Sequence, residues 1–120
     1  MRISTVVFSA LLLIAPAYAH HSDAGLDMTS TVTHEGTVVE YNFRNPHVYI
    51  VVDVEDEVGN TVQWEVQTSS TITVMRMGWT RDSLQPGDRV TFATNAAIDG
   101  RPYGLLNTIQ KANGEVLATS

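Results

Sequence analysis

The sequence predicts an all-β domain with one short helix, arranged as a small OB-like Greek-key barrel of five to six strands. Three strand-like segments come first, a short segment with helix-capping residues follows, and two further strands and a small extra strand end the chain. This order, within about a hundred residues, is the order of the OB-fold. The competing arrangement, an open immunoglobulin-like sandwich, needs about seven strands and no central helix.

The first three strands are predicted over residues 36–43, 47–55 and 61–67. In the second, apolar residues alternate strictly with other side chains: Val48, Ile50, Val52 and Val54. This alternation is typical of a strand with one buried face. Asn45-Pro46 separates the first strand from the second, and a turn over residues 57–60 separates the second from the third.

Residues 69–78 contain sequence signals for both a strand and a helix. Their β-branched run, Thr71 to Val74, is typical of a strand, whereas Ser69 or Ser70 caps a helix and Gly78 ends one. We predict a short helix. The remaining strands are predicted over residues 88–95, 103–111 and 116–118, and Pro86-Gly87 before the first of them suits a type II turn. Trp64, between Val62 and Val66, and Trp79 are predicted to be core aromatics.

The first nineteen residues are predicted to be a cleaved signal peptide. Arg2 supplies a positive start, an apolar run of about ten residues follows, and Ala17-Tyr18-Ala19 supplies small residues at a cleavage site. The alternative is an uncleaved N-terminal anchor. We therefore expect a signal peptide over 1–19, an N-terminal tail or lead-in over 20–33 and one barrel domain over 34–120, in a periplasmic or secreted protein with no membrane span after cleavage.

Composition narrows the function classes. The 120 residues include 13 Asp and Glu, 7 Lys and Arg and no Cys, with a formal net charge of −6. Nucleic acid is not expected as a partner because phosphate binding depends on Lys and Arg. No disulfide is possible. The phosphate loop, the His-Glu-x-x-His helix and the Gly-x-Ser-x-Gly elbow are missing from the sequence, so we expect no enzyme.

The histidines are the most informative polar residues. Cleavage after Ala19 makes His20 the N-terminus, where its amine and imidazole join the imidazole of His21 in an all-nitrogen set suited to Cu(II). His47, which follows a rigid Asn-Pro turn, is the best candidate partner in the barrel. The sequence therefore predicts a metal site at His20, His21 and His47. The competing interpretation is two solvated histidines on a tail and a third bonded to its own turn.

Several motifs together resemble a known family. They are His20-His21-Ser22, Asn45-Pro46-His47, Trp64, Gly78-Trp79-Thr80-Arg81-Asp82-Ser83-Leu84 and Pro86-Gly87-Asp88. The chain resembles a family of small exported bacterial proteins known only as a domain of unknown function. The resemblance implies a small β-barrel and a helix that ends at Gly78, and it supplies no activity.

A fainter similarity is to the periplasmic copper and silver chaperones, which are small OB-folds that hold an ion with one His, two Met and a Trp. The corresponding residue types here are His47, Met75, Met77 and Trp79. The Trp follows the Met pair, and on a helix Met75 and Met77 lie about 200° apart, so core filling is the favoured role of Met75. The sequence as a whole predicts a non-enzymatic periplasmic barrel that binds a transition metal, copper. The alternative is a protein-interaction or envelope-assembly module without metal.

Overall fold

The structure, a computed structural model, describes residues 25–119. It contains six strands and one helix: β1 (Val32–Asn42), β2 (Tyr49–Glu55), β3 (Thr61–Gln67), α1 (Thr71–Arg76), β4 (Arg89–Ala96), β5 (Tyr103–Lys111) and β6 (Val116–Ala118). Their order in the sheet is β3-β2-β1-β4-β5-β6, and a parallel pairing of β3 with β5 closes the first five strands into a barrel. The predicted all-β barrel with one short helix is confirmed.

The long strand β1 contributes to both halves of the barrel. Its first half pairs with β4, and its second half pairs with β2 across an irregularity between Val38 and Glu40. Such a bulge bends the strand and increases its twist. β1 begins at Val32, four residues before the predicted start, because main-chain pairing with β4 extends it beyond the buried positions.

The chain before β1 is attached to the far end of β4. Leu26 forms a β-bridge with Ala97, and the Ile98 N–H donates to the Gly25 carbonyl at 2.9 Å. The buried side chain of Asn95 donates to the carbonyls of Asp27 and Ser30 at 3.1 and 2.9 Å. Residues 25–30 are therefore held against the barrel by main-chain and side-chain hydrogen bonds.

Most of the core consists of inward residues of the strands, and the helix and the segment after it add Val74, Trp79 and Leu84. Trp79 is only 1% exposed, and its indole N–H donates to the Ala118 carbonyl at 2.8 Å. The prediction that Trp64 is fully buried in the core is wrong. Trp64 faces inward and packs against the core, yet it is only partly buried.

The helix is shorter than predicted, and its ends follow the predicted chemistry. Ser70 is the N-cap, with its hydroxyl accepting from the Thr73 N–H at 3.4 Å. Met77 is the C-cap, and Gly78 follows with a φ of +93°, a left-handed conformation that favours glycine. No helix within residues 25–119 is long and apolar enough to span a membrane.

Candidate binding site around His47

His47 lies at the end of the β1–β2 connection, directly after the cis peptide bond between Asn45 and Pro46. Its side chain is exposed, and its Nδ1 lies 3.2 Å from the Thr68 carbonyl oxygen. Because a carbonyl only accepts, Nδ1 carries the proton in this bond, and in the neutral ring Nε2 carries the lone pair. The barrel therefore presents one oriented imidazole with an acceptor nitrogen.

His47 borders a cleft of about 420 Å³. The polar lining comes from the end of β3 and the connection that follows it, from the β4–β5 connection and from the start of β5: Gln67, Thr68, Ser69, Ser70, Arg101 and Tyr103. Gly25 and Leu26 line the same cleft. The first residues that the structure describes thus lie beside the predicted barrel ligand.

Two shallower clefts continue from this one. One, of about 320 Å³, includes Arg44, His47, Tyr49, Glu65 and Gln67. The other, of about 310 Å³, reaches from Glu65 to Trp64 and Gln63 and is bordered by Arg101 and Tyr103. All three clefts lie along the outward side of β2, β3 and the start of β5, which we call the outer face: Tyr49, Val51, Asp53, Gln63, Glu65, Gln67 and Tyr103.

Two arginines are held against tyrosines at this face. The Arg44 guanidinium carbon lies 5.5 Å from the centroid of the Tyr49 ring, and Arg44 Nη2 donates to the Tyr49 hydroxyl at 2.9 Å. Arg101 lies 4.8 Å from the Tyr103 ring centroid and forms an ion pair with Asp99 at 3.6 Å. Both guanidinium groups are oriented by a ring and a polar partner.

The predicted site is brought together only in part. His20 and His21 lie outside the described residues, and only His47 is placed. Within residues 25–119 there is no group of three His, Cys, Asp or Glu side chains close enough to hold a metal ion. Met75 lies on α1 and Met77 at its C-cap, both exposed, while Trp79 is in the core. The Met pair and Trp79 therefore do not form one surface.

His34 has a different environment. Its ring lies 4.4 Å from Trp64 and 5.7 Å from Phe92, measured between centroids. Burial lowers the pKa of His34 below its usual value of 6.5. This histidine is thus part of an aromatic cluster inside the barrel.

The arginine–tyrosine pairs are not evident from the sequence. Arg44 and Arg101 belong to two connections that are remote in sequence, and only barrel closure brings them to the same face. The available signal was the alternation in β3, which places Gln63, Glu65 and Gln67 on the side opposite its apolar residues.

The chain matches a protein-family model. A family model described as a family of unknown function (DUF6152) matches residues 9–107. No curated protein and no solved structure matches the chain. The match confirms the resemblance to a family of unknown function and gives no support to the similarity with copper and silver chaperones.

Proposed function

The chain belongs to DUF6152, a family of unknown function, and from its own residues we propose that it is an exported, non-enzymatic protein that binds a transition metal. The metal is copper, held by His20, His21 and His47. In this proposal the barrel supplies one fixed imidazole, and the processed N-terminus supplies the other nitrogen ligands.

The observation that carries the proposal is the orientation of His47. Its Nδ1–H bond to the Thr68 carbonyl fixes the tautomer and turns Nε2 into the free donor atom. Metal-binding histidines characteristically donate their second ring N–H to a carbonyl or carboxylate, which fixes the ring and raises its basicity. The exposed position of His47 leaves Nε2 accessible to an ion.

A second observation is the proximity of the N-terminal segment. Gly25 lines the same cleft as His47, and His21 lies four residues before Gly25 in the sequence. Four residues span at most about 14 Å, which is enough to bring an imidazole and the amine of a processed His20 to the cleft. Amine and imidazole nitrogens are the donors that Cu(II) prefers.

Copper titration of the processed protein tests the proposal. Replacing His47 with alanine removes the barrel ligand, and one extra glycine before His20 displaces the amine. We expect each change to weaken Cu(II) binding at least tenfold. His34→Gln is the matched control, since it removes an imidazole that does not border the cleft, and it is expected to leave the affinity unchanged. Affinity that is unaffected by His47→Ala would overturn the three-histidine site.

Export has its own test, the mass of the protein recovered from the periplasm or medium. We expect a chain that begins at His20, because Ala17-Tyr18-Ala19 is the small-x-small site at the end of the apolar run. A secreted form that retains residues 1–19 would exclude the amine as a ligand and would contradict the proposed processing.

The second candidate is a protein-interaction or envelope-assembly module without metal. The observation that favours it is an apolar surface on the helix, where Ile72 and Met75 are 58% and 57% exposed and lie one turn apart. Met77, 37% exposed, follows at the C-cap. This candidate leads if the processed protein binds no copper and an Ile72→Ser, Met75→Ser double variant abolishes co-purification of an envelope protein.

A further inference from the structure

From the outer face we infer that the barrel binds a neutral oligosaccharide, through the arginine–tyrosine pairs and the amide and carboxylate groups between them. The inference does not depend on the copper site, although His47 borders both. It rests on the continuity of the clefts, their charge balance and the orientation of their polar groups.

The three clefts form one groove. The cleft that Gly25 lines shares His47 and Gln67 with the cleft beside Arg44. That second cleft shares Glu65 with the third, which is bordered by Arg101. Along β3 alone, from Gln67 to Gln63, the groove is about 13 Å long at a strand rise of about 3.3 Å per residue. It therefore suits an extended chain better than a single small molecule.

The charges of the groove compensate one another. The positive charges come from Arg44 and Arg101, and Arg101 is already paired with Asp99. Two further carboxylates, Asp53 and Glu65, lie on the outer face. A phosphate polymer needs uncompensated Lys and Arg, and the chain as a whole carries a formal charge of −6. A neutral ligand avoids repulsion from Glu65 and still accepts hydrogen bonds from both guanidinium groups.

The polar groups of the groove are planar and already held in place. The Tyr103 hydroxyl donates to Gln67 Oε1 at 2.6 Å, and Gln63 Nε2 donates to Asp53 Oδ1 at 3.2 Å. Carboxamide, carboxylate and guanidinium groups offer paired donors or acceptors at fixed spacing, which suits the adjacent hydroxyls of a sugar ring. Groups that are ordered before binding lose little entropy on binding.

The tyrosines supply the apolar part of the site. Tyr49 and Tyr103 are partly exposed on the outer face, and Trp64 borders its far end. Aromatic rings with a polar edge combine apolar contact with hydrogen bonding at wet interfaces. Strands 2 and 3 of OB-folds, with the flanking loops, accommodate oligonucleotides or oligosaccharides, and the charge balance here favours the saccharide.

The test is a ¹⁵N NMR titration of the processed protein with chitotetraose, cellotetraose and maltotetraose, in EDTA. We expect at least one sugar to shift amides of residues 49–53, 63–67 and 101–105. Arg44→Ala and Tyr103→Ala should each weaken its binding at least tenfold. Arg89→Ala is the matched control, because Arg89 is exposed and paired with Glu35 on another part of the barrel. It should leave the affinity unchanged.

Three results would overturn the inference: no binding of any of the three sugars, shifts confined to other parts of the barrel, or tighter binding of a ten-residue oligothymidylate. Arg44 lies in an exposed connection, so Arg44→Ala keeps the test valid if Tyr103→Ala impairs folding. Because EDTA removes free metal, failure here leaves the copper proposal unaffected, and failure of the copper titration leaves this inference unaffected.

Discussion

Replacing Trp79 with alanine is expected to be among the most destabilising single changes in the barrel. Trp79 is 1% exposed, is among the largest fully buried side chains and is hydrogen-bonded through its indole N–H to the Ala118 carbonyl. Truncating a buried tryptophan to alanine costs about 3 to 5 kcal/mol through lost burial and the remaining cavity. A domain of this size has a total stability of about 5 to 15 kcal/mol.

Two further variants separate packing from hydrogen bonding. Trp79→Phe keeps an aromatic ring and leaves the Ala118 carbonyl without its indole partner, which is expected to cost about 1 to 3 kcal/mol. Trp64→Ala should cost less than Trp79→Ala because Trp64 is only partly buried. Urea denaturation followed by circular dichroism gives the free energies of unfolding. A Trp79→Ala variant that loses no more stability than Trp64→Ala would refute this account of the core.

The other predictions concern the barrel wall, its internal histidine and the copper site. Gly104→Ala should cost about 1 to 3 kcal/mol in thermal melts, because a Cβ there would lie 2.8 Å from Thr94 Cβ. Burial lowers the pKa of His34, so on acidification the unfolded chain binds a proton at this histidine at a higher pH than the folded chain does. The free energy of unfolding should therefore fall as the pH drops below about 6.5. His34→Gln should remove this part of the pH dependence. Cu(II) affinity should also fall as the pH is lowered, because a protonated imidazole binds no metal; constant affinity between pH 7 and 5 would contradict imidazole ligation.

The strands most visible in the sequence are those whose alternation reflects burial. β3 has the predicted bounds, and the β2 prediction differs only at its start, because their inward residues face the core. The turn before β4 was also predictable. Pro86 precedes Gly87 with φ of +94°, and the Asp88 N–H donates to the Gln85 carbonyl at 3.1 Å. The start of β1 was not predictable from periodicity, since Val32 and Thr33 are exposed and held by pairing with β4.

Trp64 shows why an inward position does not guarantee burial. Its place in β3 directs it into the barrel, but the pairing of β3 with β5 covers only Glu65, Val66 and Gln67. Trp64 precedes the paired stretch, so the barrel wall beside it is open and the residue borders the groove. The pattern of one strand contains no information about where a second, remote strand stops pairing with it.

The His47 site and the groove also differ in how far the sequence alone can predict them. His47 could be singled out because its turn and strand are local features, whereas the groove depends on two connections that meet only in the closed barrel. The pairing of Arg44 with Tyr49 is local, five residues apart, and was still missed because neither residue belongs to a recognised motif.

His47 is the point at which the two proposals interact. It borders both the cleft beside Gly25 and the cleft beside Arg44, so a copper ion on Nε2 and a saccharide in the groove compete for neighbouring space. Any effect of copper on saccharide affinity must be matched by an equal effect of the saccharide on copper affinity. In the proposed copper site, the positive charge of Arg101 in this cleft opposes a cation, so copper binding would require the nitrogen ligands of the N-terminus, whereas binding of a neutral saccharide would not. Under the two proposals, the barrel alone binds the saccharide, whereas it binds copper only together with the processed N-terminus.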